Sequence, residues 1–546
     1  MPEFRFPNPK ADVMAEVRVA GSGWEDRAGA ALSMPREVTF TLSDRTPAPT
    51  HLLPDLPTVD MVTLPNTVTS FPYEIKGGAG AGKVFHWNLS PESNKGLVLV
   101  CHGAFNGGTK QQRDTAFSAV FDYLCTCLAS NGFIAVSVRH TPGSGPAVAS
   151  TDIVTNLKFI LEDPDSKFKQ FKLVGRPVAL IGQSEGGRGA VLAADRIASG
   201  ELKQLISKIS AVVCLAPTPT ANLKDFTKSL LILQGTHDGD TPAGGQSMMA
   251  YESASVPEKY FLWIHGASHA AFLGGVFVFP DSQLMGVSDH DKSLQIAPQT
   301  QQFITQNYVT MFLLLKLAKQ KVFESVFIGD KDVGWVPPPG IISNDIDSRR
   351  FRALPLYDKV ALIPVADDFV AEEMFQGLQL INKDHPLKVK ALRDLHPTLL
   401  EHGITGSVIE WSKGSKSAPK FTVVCDKSIM SFKPFALEFA AILVALATLN
   451  SSNSKPVTIE VFLKSGNKKS SAVPVIIERP VNLNATHGDG TQNVSRSILS
   501  TIRVPISKFG TLPSGFLEEA DLVLDFSKSS SLLGKVALAN FRASFS

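Results

Sequence analysis

Six short apolar runs, at 97–101, 133–138, 178–181, 211–215, 230–233 and 260–264, leave few folds open to this chain. A strand that alternates apolar and polar residues keeps one face in water, whereas a run that is apolar throughout must be covered on both faces. Segments with helical spacing lie between the runs, at 111–130, 153–161 and 187–199, and a long closing helix is predicted over 300–321. Strand and helix in alternation over 61–331 is the pattern of an α/β protein, a doubly wound and mostly parallel sheet with helices on both faces.

Beyond that region the sequence changes character. Pro337, Pro338, Pro339 and Gly340 end any helix and favour an extended linker. From about residue 420 onward, β-branched and aromatic runs at 421–424, 457–463, 473–477, 502–506, 522–526 and 535–541 are separated by Ser, Asn, Gly and Lys clusters. Short strands with turn signals between them predict a β-sandwich, in which Pro474 and Pro505 mark edge strands or bulges. The segment between, 344–418, mixes strand-like 360–363 with helical spacing over 372–381. The expected division is an irregular or strand-containing extension over 1–60, an α/β domain over 61–335, and a linker with a β-sandwich domain over 336–546.

Composition narrows the class of partner. Hydrophobic residues make up 44% and charged residues 19% of the 546, the profile of a chain that buries large cores. The net charge of +2 is spread without a long basic run, which argues against nucleic acid or an anionic membrane surface. Cys101, Cys125, Cys127, Cys214 and Cys425 have no paired C-x-x-C spacing and mostly sit in apolar runs, so buried free thiols are expected, with no structural metal. The apolar run 435–449 is broken by Glu438 and too short to span a bilayer, and residues 1–10 lack the apolar stretch of a secretory signal. A soluble chain is expected, its compartment and oligomeric state left open.

The strongest chemical signal is Val178-Ala179-Leu180-Ile181-Gly182-Gln183-Ser184-Glu185-Gly186-Gly187, an apolar strand that runs into G-x-S-x-G and then a helix. A nucleophilic serine needs a sharp turn that thrusts its Oγ outward, and glycines two before and two after remove side chains that would clash. The helix that follows points its partial positive charge at an oxyanion formed there. Upstream, the strand Leu97–Cys101 ends in His102-Gly103-Ala104-Phe105, a loop able to aim a second N–H at the oxyanion. The first donor is expected from Glu185 and the second from Ala104, with Phe105 as the alternative; His102 is expected to brace the loop.

The acid and base should follow the serine in the order Asp, then His. Asp238 lies in an acidic loop, Gly235-Thr236-His237-Asp238-Gly239-Asp240-Thr241-Pro242, after an apolar strand, with Asp240 as the alternative acid. His269 follows the next strand in Gly266-Ala267-Ser268-His269; His265 and His237 compete with it, one ending a strand and the other abutting the acid.

On these motifs, over 61–329, the chain resembles the α/β-hydrolase superfamily, and within it the dienelactone hydrolase, platelet-activating-factor acetylhydrolase and cutinase-like branch. The resemblance implies an esterase or lipase that needs no cofactor and acts on an ester substrate, bulky or polymeric esters included. One departure is Glu185, where many members carry an uncharged residue; a carboxylate there is expected to shape the pocket or to discourage anionic substrates. The alternatives are a serine peptidase or acyltransferase with the same triad, and a glycan- or polymer-binding protein on a hydrolase scaffold. The runs at 500–509, 522–526 and 534–541 are similar to the closing strands of carbohydrate-binding jelly-roll modules, although no aromatic platform accompanies them: Trp411 is the sole tryptophan after Trp335.

Overall fold

A computed structural model describes most of residues 67–327 and the strands of the C-terminal region. Residues 1–57, 61–66, 105–116, 201–208, 219–228, 276–295, 335–353 and shorter stretches between elements, including 236–237, 241–246 and 265, lie outside the described residues. The extension expected over 1–60 therefore falls outside them, apart from Thr58–Asp60, a short strand that pairs in parallel with Asp332–Gly334.

Among the described residues the central sheet has nine strands. They are β1 (Val68–Ile75), β2 (Gly80–Trp87), β3 (Leu97–Cys101), β4 (Ile134–Val138), β5 (Val178–Gln183), β6 (Ile209–Leu215), β7 (Ser229–Gly235), β8 (Glu258–Ile264) and β9 (Leu354–Lys359). Their spatial order is β9-β8-β7-β6-β5-β3-β4-β2-β1, with β3 to β8 parallel and β1, β2 and β9 antiparallel at the two margins. The sheet is mixed and mostly parallel, flanked by helices, a generic α/β-hydrolase-like arrangement. The six apolar runs are its six parallel strands.

Helices α1 (Asp122–Ser130), α2 (Pro146–Glu162), α3 (Glu185–Ala198) and α4 (Pro298–Lys316) cover the two faces. Alternate residues of each strand feed separate cores: Leu97, Leu99, Val178 and Leu180 join α2 and α3, whereas Val98, Val100, Ala179 and Ile181 join α1 and α4. This explains why the strands had to be apolar on both faces. All five cysteines are buried free thiols.

Two helix expectations need correction. The helix expected over 111–130 begins, among the described residues, at Asp122, after a turn over 119–121 in which the Asp122 N–H meets the Ala119 carbonyl; 111–116 lie outside the described residues. The closing helix stops at Lys316 rather than 321, with Gln320 N–H turning back to the Leu314 carbonyl and Lys319 in the left-handed region at φ 60°. Among the described residues no helix is long and apolar enough to cross a membrane.

The C-terminal region forms antiparallel sheets. One contains Thr405–Ser412, Leu533–Ser544, Ala436–Leu443 and Ser500–Pro505 as successive neighbours; another contains Lys420–Val423, Asp521–Asp525, Val457–Ser465 and Val473–Ile477. Among the described residues the strands bearing Pro474 and Pro505 are each paired on one side only, where a residue without an N–H breaks no second ladder. Helical spacing over 372–381 misled at its end: Leu378–Leu380 is a strand paired with Thr405–Ser412, an alignment with a partner that local spacing does not report. Beyond the proline stretch, β9 adds the antiparallel margin of the central sheet against β8, so sheet and C-terminal sequence are interleaved.

Candidate active site

The order of the strands fixes where a site can form. The chain leaves β3 toward β4 and then returns to place β5 on the other side of β3. At such a switch point the loops after the two strands diverge and open a crevice at their carboxyl ends. The His102-Gly103-Ala104 loop follows β3 and Ser184 follows β5, so both border this crevice. Asp238 and His269 follow β7 and β8 on the same edge of the sheet.

Ser184 has φ 53° and ψ −122°, outside the left-handed helical basin that non-glycine residues sometimes enter. Its neighbours allow this turn because they lack side chains. A Cβ on Gly182 would lie 2.0 Å from the Gly186 carbonyl oxygen, and one on Gly186 would lie 2.4 Å from that of His102. A Cβ on Gly103 would lie 2.6 Å from Ser184 Cβ, which shows how closely the β3 loop approaches the elbow. Glu185 opens α3, so its N–H belongs to the first turn of that helix. Ala104, which follows Gly103 after β3, is partly exposed; the alternative donor, Phe105, lies outside the described residues.

Asp238 and His269 are joined directly. His269 Nδ1 is 2.9 Å from Asp238 Oδ2, both residues are buried, and the same carboxylate accepts Gln234 Nε2 at 2.7 Å and the Asp240 N–H at 3.0 Å. Gln234 is itself held by Ser247 Oγ. The opposite ring nitrogen, His269 Nε2, faces Asp240 Oδ2 at 3.1 Å and Gln183 Nε2 at 3.1 Å. Among the described residues Ser184 Oγ has no hydrogen-bond partner. The structure thus brings together Asp238, Asp240 and His269, and it does not join Ser184 to His269. Of the competing histidines, His237 and His265 lie outside the described residues. Burial holds the Asp240 carboxyl above the ordinary value of 3.8, against the attraction of His269 and with the repulsion of Asp238.

His102 braces its loop by donating Nδ1–H to the Gly103 carbonyl at 2.9 Å. Burial pushes its pKa down to about 4, opposed by that hydrogen bond and reinforced by His140, so its ring is neutral near pH 7. Gln183 ties two segments together, its Oε1 accepting the Gly103 N–H at 3.1 Å while its Nε2 reaches His269. Gln183 and Gln234 were not singled out in the sequence, yet a signal was present: each is an amide at the carboxyl end of an otherwise buried strand. A buried amide must find partners, and these two find the candidate site.

A second His–Asp pair, buried at the histidine and partly exposed at the carboxylate, also escaped the sequence reading. His140, after β4, places Nδ1 2.9 Å from Asp152 Oδ2 on α2, and its Nε2 is 4.0 Å from Glu185 Oε1. Among the described residues no group of His, Cys, Asp or Glu is arranged to hold a metal ion. No known family model matches the chain, and no curated protein matches it.

Proposed function

We propose that the chain is a serine hydrolase of the α/β-hydrolase type that cleaves carboxylic esters through an acyl-enzyme. One composite observation carries this reading: a serine in a strained turn between strand and helix shares a sheet edge with a buried Asp238–His269 hydrogen bond. In this reading Asp238 keeps the Nδ1 proton of His269 in place, which leaves Nε2 to act as base. Ser184 Oγ attacks the acyl carbonyl as its proton passes to Nε2. The N–H groups of Glu185 and Ala104 hold the oxyanion. The C–O bond then breaks and the alcohol leaves with the proton from Nε2. Water, deprotonated by the same nitrogen, frees the acid and restores Ser184.

Asp238 is favoured over Asp240 as the orienting acid because it meets Nδ1, whereas Asp240 meets the nitrogen that the serine must reach. Turnover requires Ser184 Oγ to take the place that Asp240 Oδ2 and Gln183 Nε2 hold in the resting site; catalytic hydrogen bonds commonly tighten only with substrate bound. Within that fold type the chain is proposed to be similar to the dienelactone hydrolase, platelet-activating-factor acetylhydrolase and cutinase-like branch, on the order of its motifs. The C-terminal sheets are proposed to form a jelly-roll-like unit, within 336–546, that governs stability or access by bulky substrates and supplies no catalytic group.

The test is a fluorophosphonate probe followed by peptide mass spectrometry. The expected adduct is on Ser184, absent from Ser184→Ala and strongly slowed in Asp238→Asn. Labelling at another serine, or none, refutes the reading. Parallel turnover of matched ester and amide substrates separates an esterase from a peptidase.

A further inference from the structure

Gln183 ends β5 directly before Ser184 and is 1% exposed, so its amide must be satisfied inside the protein. Its Oε1 accepts the Gly103 N–H at 3.1 Å, and its Nε2 lies 3.1 Å from His269 Nε2. A backbone N–H can only donate, so turning the amide over would set donor against donor at Gly103. The amide nitrogen therefore presents an N–H to His269 Nε2. A donor at that place favours the ring with a lone pair on Nε2.

The same nitrogen has a neighbour with the opposite preference. Asp240 Oδ2 is 3.1 Å from His269 Nε2, and a carboxylate favours a proton on the nitrogen it faces. Asp238 Oδ2 meets Nδ1 at 2.9 Å on the far side of the ring. From α4, the neutral amide of Gln301 holds the backbone of Ser268. From the end of β3, His102 is neutral near pH 7 because burial pushes its pKa down to about 4. At the start of α3, Glu185 places Oε1 4.0 Å from His140 Nε2. The contest at Nε2 is thus between one amide donor and one carboxylate.

We infer that Gln183 is a positioning residue that opposes Asp240 at His269 Nε2, and so sets the pH above which the base is free, while its other end keeps the oxyanion loop in register with that base. The Ser184 hydroxyl is a donor as well, so the lone pair that the amide favours is the one the serine needs. The two ends of the amide act on different quantities. Loss of the bond to Nε2 shifts the protonation of the base and moves the acid limb of the pH profile; loss of the bond to Gly103 displaces the loop and lowers the plateau.

The inference rests on the proposed hydrolase reading, and kcat/KM for a soluble ester against pH, measured on the full chain, tests it. Gln183→Met is close in size, makes neither hydrogen bond and leaves Asp240 unopposed. Its acid limb should move up by about one unit, a loss of about tenfold at a fixed pH below the limb, and its plateau should fall by about tenfold. Gln183→Glu keeps an acceptor for Gly103, so its plateau should fall less than that of the Met variant while its limb moves at least as far. In an Asp240→Asn background, where no carboxylate competes for Nε2, Gln183→Met should move the limb by less than about 0.3 unit. Asp240→Asn by itself should move the limb down, an arm that holds even if Gln183→Met does not fold. An unmoved limb in Gln183→Met, equal shifts in both Asp240 backgrounds, or an upward shift in Asp240→Asn overturns the inference while fluorophosphonate labelling of Ser184 in the unmutated protein stands. Failure of that labelling overturns the hydrolase reading and this inference with it.

Discussion

Ser184 can be replaced in two ways that remove the same oxygen and differ in one carbon. At φ 53° and ψ −122° its backbone occupies a region that a Cβ makes costly, by about 1–3 kcal/mol. Alanine keeps the Cβ and therefore the strain. Glycine removes it but adds freedom to the unfolded chain, which costs about 0.5–1 kcal/mol. The difference makes Ser184→Gly more stable than Ser184→Ala by roughly 0–2.5 kcal/mol, whereas glycine in an ordinary element is the less stable of the two by about 0.5–1 kcal/mol. An unfolding entropy of about 2 cal/mol/K per residue means that a chain of this length shifts only about 1 °C per kcal/mol. Paired calorimetric scans at one scan rate are therefore needed. Both variants should also lose turnover by roughly a thousandfold or more. A glycine variant that melts a degree below the alanine variant would refute the claim that the elbow is strained, and undiminished esterase activity in either would refute the nucleophile.

Three further outcomes follow from the same geometry. Asp238→Asn should cost roughly ten thousandfold in turnover by leaving His269 in the wrong tautomer, and Asp240→Asn less than about tenfold; steady-state kinetics on a soluble ester gives the ranking, and the reverse order transfers the acid role. Because the folded carboxyl of Asp240 binds its proton more tightly than the unfolded one, its contribution to stability is present below pH 3.8 and lost as pH rises through the raised value; Asp240→Asn should therefore melt above wild type at pH 7, and the gap should close toward pH 4. Gly182→Ala should destabilise by about 3 kcal/mol or more and abolish probe labelling, since its Cβ would lie 2.0 Å from a backbone oxygen that cannot step aside; normal melting with normal labelling would show that the elbow can yield.

Local pattern was enough for the centre of the molecule. Runs such as 97–101 and 178–181 had to be doubly covered strands, and the glycines around Ser184 reported a tight turn, because burial on both faces and backbone approach act on the residues that show them. The chain order of the strand ends then lined up Ser184, Asp238 and His269. Tertiary structure alone placed the β1–β2 hairpin beside β4 and β9 beside β8 at the sheet margins, since those partners lie far along the chain. It alone showed that Asp238 meets Nδ1 while Asp240 meets Nε2, two residues apart in one loop. Gln183 reaching Gly103 and His269, 80 and 86 residues away, and His140 meeting Asp152 and Glu185 belong to the same class. A sequence states which polar groups will be buried; which partners satisfy them depends on how distant segments are brought side by side.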